Sequence, residues 1–126
     1  MSLELLNPDG LPAPPTYTQV VVARGTRTIY ISGQVATDAD ENDFAAQARA
    51  VHANLGIALE AAGARPADVA KLNTYVVDYH PDLRPAIAEA RSALFGEHRP
   101  ASTLIGVAAL AQPRFRIEVE AIAVVE

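Results

Sequence analysis

The chain has 126 residues, of which 10 are basic and 15 acidic, and half of all residues are hydrophobic. This length fits a single domain, residues 1–126, with a hydrophobic core of its own. The absence of cysteine excludes disulfides, thiolate metal ligands and a cysteine nucleophile. The net charge of −5 argues against a nucleic acid partner, because that affinity comes from neutralised phosphates.

The first 35 residues predict an extended segment followed by two strands. Prolines at positions 8, 12, 14 and 15 indicate an extended lead-in. Residues 17–23 and 28–33 are rich in β-branched side chains, and the short link between them contains Gly25. This spacing predicts a β-hairpin.

A helix is predicted next. Apolar residues recur at steps of three and four from Phe44 to Ala62. Asp40 or Asp43 is placed to cap the start of this helix, and Gly63 to end it.

The second half of the chain predicts a turn at Pro66, a strand at 72–77, a second helix and two closing strands at 103–110 and 115–125. Asp82 is the expected cap of the second helix, Pro85 lies in its first turn, and Gly96 ends it. Its inward-facing residues are Leu83, Ile87, Ala90 and Leu94.

The resulting order, ββαβαββ, predicts an α+β domain with a mixed sheet and two helices on one of its faces. Residues 104–110 and 121–125 are apolar at successive positions, which is typical of strands covered on both sides. The two helices cover one face and no residues remain for the other, so we expect a homo-oligomer. The alternative is that the alanine and glycine residues make the exposed face small enough in apolar area for the protein to be a monomer.

Few residues of the chain indicate a catalytic or metal-binding site. His52, His80 and His98 lack the spacing of a metal-ligand pair. The chain also has no nucleophile elbow and no glycine-rich phosphate loop. We therefore expect neither a metal nor a cofactor.

Glu118 and Glu120 are the most informative charged residues. At positions i and i+2 of a strand, both carboxylates face the same side as Ile122 and Val124. Carboxylates beside apolar residues are costly unless they find donors. Two interpretations stay open: a solvated strand end with basic cross-strand partners, or a ligand cleft in which one carboxylate orients water or accepts a proton.

Seven segments, in order, carry a family resemblance: YTQV (17–20), ISGQV (31–35), QARAVHANL (47–55), LEAAG (59–63), FGEHRPA (95–101), VAAL (107–110) and IEVEAIA (117–123). Together they resemble the RidA/YjgF family, also called endoribonuclease L-PSP. The resemblance implies a chorismate-mutase-like fold and a homotrimer with ligand clefts between subunits. It also implies cofactor-free hydrolysis of small enamines or imines to carbonyl compounds and ammonia. The sequence itself, with no apolar run long enough to span a bilayer and no signal-peptide pattern at residues 1–10, predicts a cytoplasmic location without membrane attachment.

The resemblance assigns roles to several residues. It places Tyr17, Ser32 and Gly33 in the ligand pocket and makes Glu118 the catalytic residue that positions water. In active deaminases of the family, an arginine in the motif Pro-x-Arg-Ser holds the substrate carboxylate. Here the corresponding residues read PAST (100–103), so Ser102 replaces that arginine, with Thr103 beside it.

Ile87 likewise stands where many members carry a pocket asparagine, which completes the expected substrate-binding set. Losing the arginine predicts atypical or weak deaminase activity and favours a neutral or cationic ligand. The arginines considered as substitutes are Arg24, Arg27, Arg99 and Arg116. Alternative functions are a metabolite-binding trimer without turnover and, ranked last, an endoribonuclease.

Overall fold

The computed structural model describes residues 2–126 and confirms the α+β class. The strands are β1 (Ser2–Leu6), β2 (Val20–Arg24), β3 (Arg27–Gln34), β4 (Val69–Val77), β5 (Ala101–Val107) and β6 (Ile117–Val125). The helices are α1 (Phe44–Ala61) and α2 (Arg84–Phe95), with 3-10 turns at Pro66–Asp68 and Pro81–Leu83. The closing strands are shorter than predicted, because β5 ends at Val107 and β6 begins at Ile117.

Four strands form a mixed sheet in the order β3-β6-β4-β5. Strands β4 and β5 are parallel and α2 connects them, as a crossover between parallel neighbours requires. Strand β6 is antiparallel to both β3 and β4. Consequently β5 lies at one edge of this sheet, beside α2.

The predicted hairpin of residues 17–23 and 28–33 is wrong. Strand β2 pairs with β1 in a separate two-stranded sheet, and β3 pairs with β6. Between β2 and β3, the Thr26 N–H donates to the Val125 carbonyl, so the chain passes to the larger sheet instead of folding back. The N-terminal segment is therefore a strand at its start, and the element order is βββαβαββ.

Local signals set most helix ends. The Ala46 N–H donates to Asp43 Oδ1 at 3.0 Å, so Asp43, and not Asp40, is the cap of α1. Gly63 and Gly96 follow the helices with φ of 75° and 58°, values that glycine adopts without strain. The predicted cap at Asp82 is wrong: it lies in the preceding 3-10 turn, and no side chain caps α2.

Both helices pack on the same face of the large sheet. Buried residues of α1, such as Leu55 and Leu59, join a core with alternate residues of β6, among them Val119. The intervening residues of β6 point to the opposite face, where they are half-buried. Strand β2 contacts β4 and β6 without pairing with them, so the small sheet packs against the large one.

Within residues 2–126, neither helix has the length and apolar character needed to cross a membrane.

Candidate functional site

A cavity of about 400 Å³ lies between α2, β5 and the segment before β2. Its lining includes three residues singled out from the sequence, Tyr17, Ile87 and Ser102. Leu104 and two arginines of α2, Arg84 and Arg91, also line it.

Backbone pairing brings the parts of this cavity together. The Thr18 N–H donates to the Pro100 carbonyl at 3.2 Å, and Thr18 forms a parallel bridge with Ala101. These contacts hold Tyr17 beside the start of β5. Ser102 is in register with the buried Leu72 of β4, which puts it on the sheet face that carries the helices.

Arg91 is the cavity residue that the sequence reasoning missed. The residue is half-buried. Its Nη2 lies 3.4 Å from Thr74 Oγ1, and its Nε is buried without a hydrogen-bond partner among residues 2–126. Burial lowers the pKa of Arg91, and the positive charge of Arg99 lowers it further. Helical spacing could have revealed this residue, because Arg91 follows Ile87 by four positions and so lies one turn along the same face.

Glu118 lies on the opposite face of the sheet, against Gly33. A Cβ atom added to Gly33 would lie 2.5 Å from Glu118 Cδ, so only glycine permits this close approach. Ser32 adjoins this contact and is exposed. The half-buried Glu118 carboxylate accepts no side-chain or backbone hydrogen bond within the part of the chain that the structure describes.

Glu120 has a different environment from Glu118. Its Oε2 accepts hydrogen bonds from Tyr75 Oη at 2.7 Å and Asn73 Nδ2 at 3.1 Å. The Glu120 hydrogen bond raises the pKa of Tyr75 above its usual value. The two carboxylates predicted to share a face do so, but Glu120 is held by neighbouring side chains and Glu118 is free to contact a ligand.

Thr103 lies on the same face as Glu120, not beside Ser102 in the cavity. It is in register with Asn73, and its Oγ1 accepts a hydrogen bond from Lys71 Nζ at 2.8 Å. Within one chain the candidate residues therefore form two groups: the cavity with Tyr17, Ile87 and Ser102, and the contact of Ser32 and Gly33 with Glu118.

The arginines considered from the sequence do not line the cavity. Arg27 donates to the Glu126 carbonyl, Arg99 to the Gly96 carbonyl, and Arg116 lies 5.5 Å above the centre of the Phe44 ring. Arg24 is exposed at the end of β2. No cluster of three potential metal ligands forms within residues 2–126.

Comparison with known proteins identifies the family. The sequence profile described as Endoribonuclease L-PSP matches residues 10–125. A 2-iminobutanoate/2-iminopropanoate deaminase of Dermatophagoides farinae is 31% identical over 115 residues, which cover 87% of this chain and 86% of that protein.

Solved structures agree with this assignment. A conserved Rid-family protein of Yersinia pestis is 36% identical with a TM-score of 0.90, covering 99% of this chain and 100% of that one. A YjgF/YER057c/UK114 family member of Mycobacterium tuberculosis is 33% identical with a TM-score of 0.70, and the match covers 86% of each chain. The chain therefore belongs to the RidA/YjgF family, the endoribonuclease L-PSP family.

Proposed function

We propose that this protein hydrolyses small imines or enamines to carbonyl compounds and ammonia, in clefts between the subunits of a homotrimer. The cavity beside α2 carries the proposal. Tyr17, Ile87 and Ser102 are far apart in the sequence, yet all three line this one space of about 400 Å³. A concave site of this size with a few polar groups suits a small metabolite.

A second copy of the chain would complete the site. Glu118 faces away from the cavity of its own chain, so the carboxylate that positions water must come from a neighbour. Apolar side chains exposed on the large sheet support such an assembly, since Leu104 and Ile105 on the edge strand β5 are 38% and 39% exposed and Tyr30 on β3 is 77% exposed. Large exposed apolar patches mark interaction surfaces.

The proposed reaction requires only a few functional groups from the protein. An imine carbon is electrophilic, so the site has to hold the substrate and place a water molecule against that carbon. Glu118 accepts a proton as the water oxygen bonds to the carbon. Glu118 then returns this proton to the nitrogen of the carbinolamine. The hydroxyl oxygen loses its own proton to the Glu118 carboxylate as the C–N bond breaks, ammonia departs, and the carbonyl product remains.

Substrate preference should differ from that of family members with an arginine at the Ser102 position. A serine hydroxyl forms one neutral hydrogen bond, worth ~1 kcal/mol net, whereas a charge-assisted bond contributes about 1.5–3 kcal/mol. A guanidinium also holds a carboxylate through two parallel bonds. Position 102 therefore contributes much less to binding a carboxylate than arginine would.

A coupled assay tests the proposal. An amino-acid oxidase generates 2-iminopropanoate, and loss of the imine is followed by semicarbazide trapping. We expect acceleration over the uncatalysed rate that Glu118→Gln abolishes. Glu120→Gln is the matched control, because Glu120 is bonded to Tyr75 and Asn73 and should tolerate the change with most of the activity retained.

Other outcomes would redirect the assignment. Loss of activity in Glu120→Gln but not in Glu118→Gln would contradict the role of Glu118. Ligand binding without turnover would support the metabolite-binding trimer instead. Sedimentation of a stable 13.3 kDa particle at micromolar concentration would contradict the shared cleft.

A further inference from the structure

The guanidinium of Arg91 lines the cavity, and the part of its own chain that the structure describes leaves it incompletely bonded. Its Nε is buried and has no acceptor among residues 2–126, and its contact with Thr74 Oγ1, at 3.4 Å, is long for a hydrogen bond. Buried N–H groups are nearly always paired in folded proteins, and an unpaired one is costly. An anionic acceptor in the cavity that Arg91 lines would offset this cost by bonding the other nitrogens of the guanidinium.

The surroundings of Arg91 favour an acceptor with negative charge. No acidic side chain is found among the described residues that line the cavity, whereas Arg84 lines it as well. Arg91 and Arg84 are seven positions apart on α2 and therefore lie on the same side of the helix. Arg99 lies next to Arg91 in a smaller adjoining pocket. The charged side chains that line the cavity and the adjoining pocket are therefore all positive.

We propose that Arg91 binds the negatively charged group of the ligand in this cavity and so performs, from α2, the task that Ser102 cannot perform from β5. This inference rests on the proposed function, since it takes the cavity to be the substrate site. It revises the ligand class expected from the sequence: the substrate is an anionic imine, not a neutral or cationic one. Its carboxylate lies against α2, with the Ser102 hydroxyl as a secondary donor.

Equilibrium binding tests the inference without requiring turnover. The probes are 2-oxobutanoate, a stable ketone with oxygen in place of the imine nitrogen, and its neutral methyl ester. We expect the wild-type protein to prefer the acid, and Arg91→Gln to lose about 10- to 100-fold in affinity for the acid alone, as expected for charge-assisted bonds. Arg91→Lys keeps the charge without the forked geometry and should lose less.

Two further variants serve as controls. Arg49→Gln removes an equal charge from an exposed position of α1 that does not line the cavity, and it should bind the acid as the wild type does. The double variant Arg91→Gln/Ser102→Arg returns a guanidinium to the cavity from β5 and should regain much of the preference for the acid.

Unchanged binding of the acid by Arg91→Gln would overturn the proposal. Equal losses for acid and ester would also overturn it, because they would assign Arg91 a packing role. If Arg91→Gln does not fold, the Nε–H resonance of Arg91 in the wild type decides the question. It should shift on addition of 2-oxobutanoate and not of the ester, and the absence of a selective shift would refute the inference.

The two proposals fail separately. Arg91-dependent binding of the acid without any imine hydrolysis would remove the proposed function and leave the anion site in place. Imine hydrolysis that is unaffected by Arg91→Gln would support the proposed function and remove the anion site at Arg91.

Discussion

His52 should make the stability of this protein fall in mild acid. The side chain is 1% exposed in the core-facing side of α1, and its Nδ1 lies 2.7 Å from the Ala48 carbonyl, so the neutral ring donates there. Its Nε2 is buried without a partner among residues 2–126. Burial lowers the pKa of His52 from 6.5 to about 4, the Ala48 hydrogen bond opposes this effect, and the charge of Arg91 adds to it.

The size of the effect follows from proton linkage. Between pH 6.5 and about 4 the unfolded chain holds a proton on His52 and the folded protein does not, so acid favours unfolding. A tenfold change in proton affinity is worth about 1.4 kcal/mol. His52 therefore has almost no effect on the free energy of unfolding well above pH 6.5, and it lowers that free energy by about 3 kcal/mol below pH 4.

Urea unfolding from pH 7 to pH 4, at a fixed protein concentration, measures this loss. His52→Leu removes the titrating group, and the difference between its pH curve and that of the wild type cancels contributions from carboxylates. We expect the variant to lose about 3 kcal/mol less stability than the wild type across this range. Leu55→Ala, a buried and non-titrating substitution in the same helix, should lower stability at every pH without changing the slope. Parallel curves for the wild type and His52→Leu would refute the reasoning.

Two further substitutions test local contacts. Gly33→Ala forces the Glu118 carboxylate away from β3, so the proposed imine hydrolysis should fall at least tenfold. Thermal stability should change little, because the Glu118 side chain can rotate aside. Undiminished activity would contradict the importance of this contact. Gln47→Leu leaves the Arg114 carbonyl and the Arg116 N–H without their partners, which lie 2.9 Å from the buried amide. Chemical denaturation should show a loss of roughly 2–5 kcal/mol, and a loss below ~1 kcal/mol would mean that water replaces both bonds.

Features governed by neighbouring residues could be predicted from the sequence. The helix at 44–61, its cap at Asp43 and its end at Gly63 follow from periodicity and from backbone preferences within a few residues. The shared face of Glu118 and Glu120 follows from the alternation of a strand.

Features that depend on pairing between residues far apart in the chain could not be predicted from the sequence. Residues 17–23 and 28–33 have the composition of a hairpin, but nothing in that stretch shows that Ser2–Leu6 competes for the same edge. The position of Arg91 could not be predicted for a related reason: an arginine on a helix is usually solvated, and only the folded position of α2 beside β4 brings this one to Thr74 and to the cavity.

The placement of Ser102 and Glu118 on opposite faces of one sheet has an evolutionary consequence. If the proposed function is correct, most of the residues that contact the ligand lie on α2 and β5, whereas the carboxylate that positions water lies on β6 beside β3. In that case, substitutions in the crossover helix α2 would alter which substrate is bound without disturbing the proposed hydrolysis step. Such a separation would allow the same fold to acquire new substrates through a few substitutions while the proposed reaction stays the same.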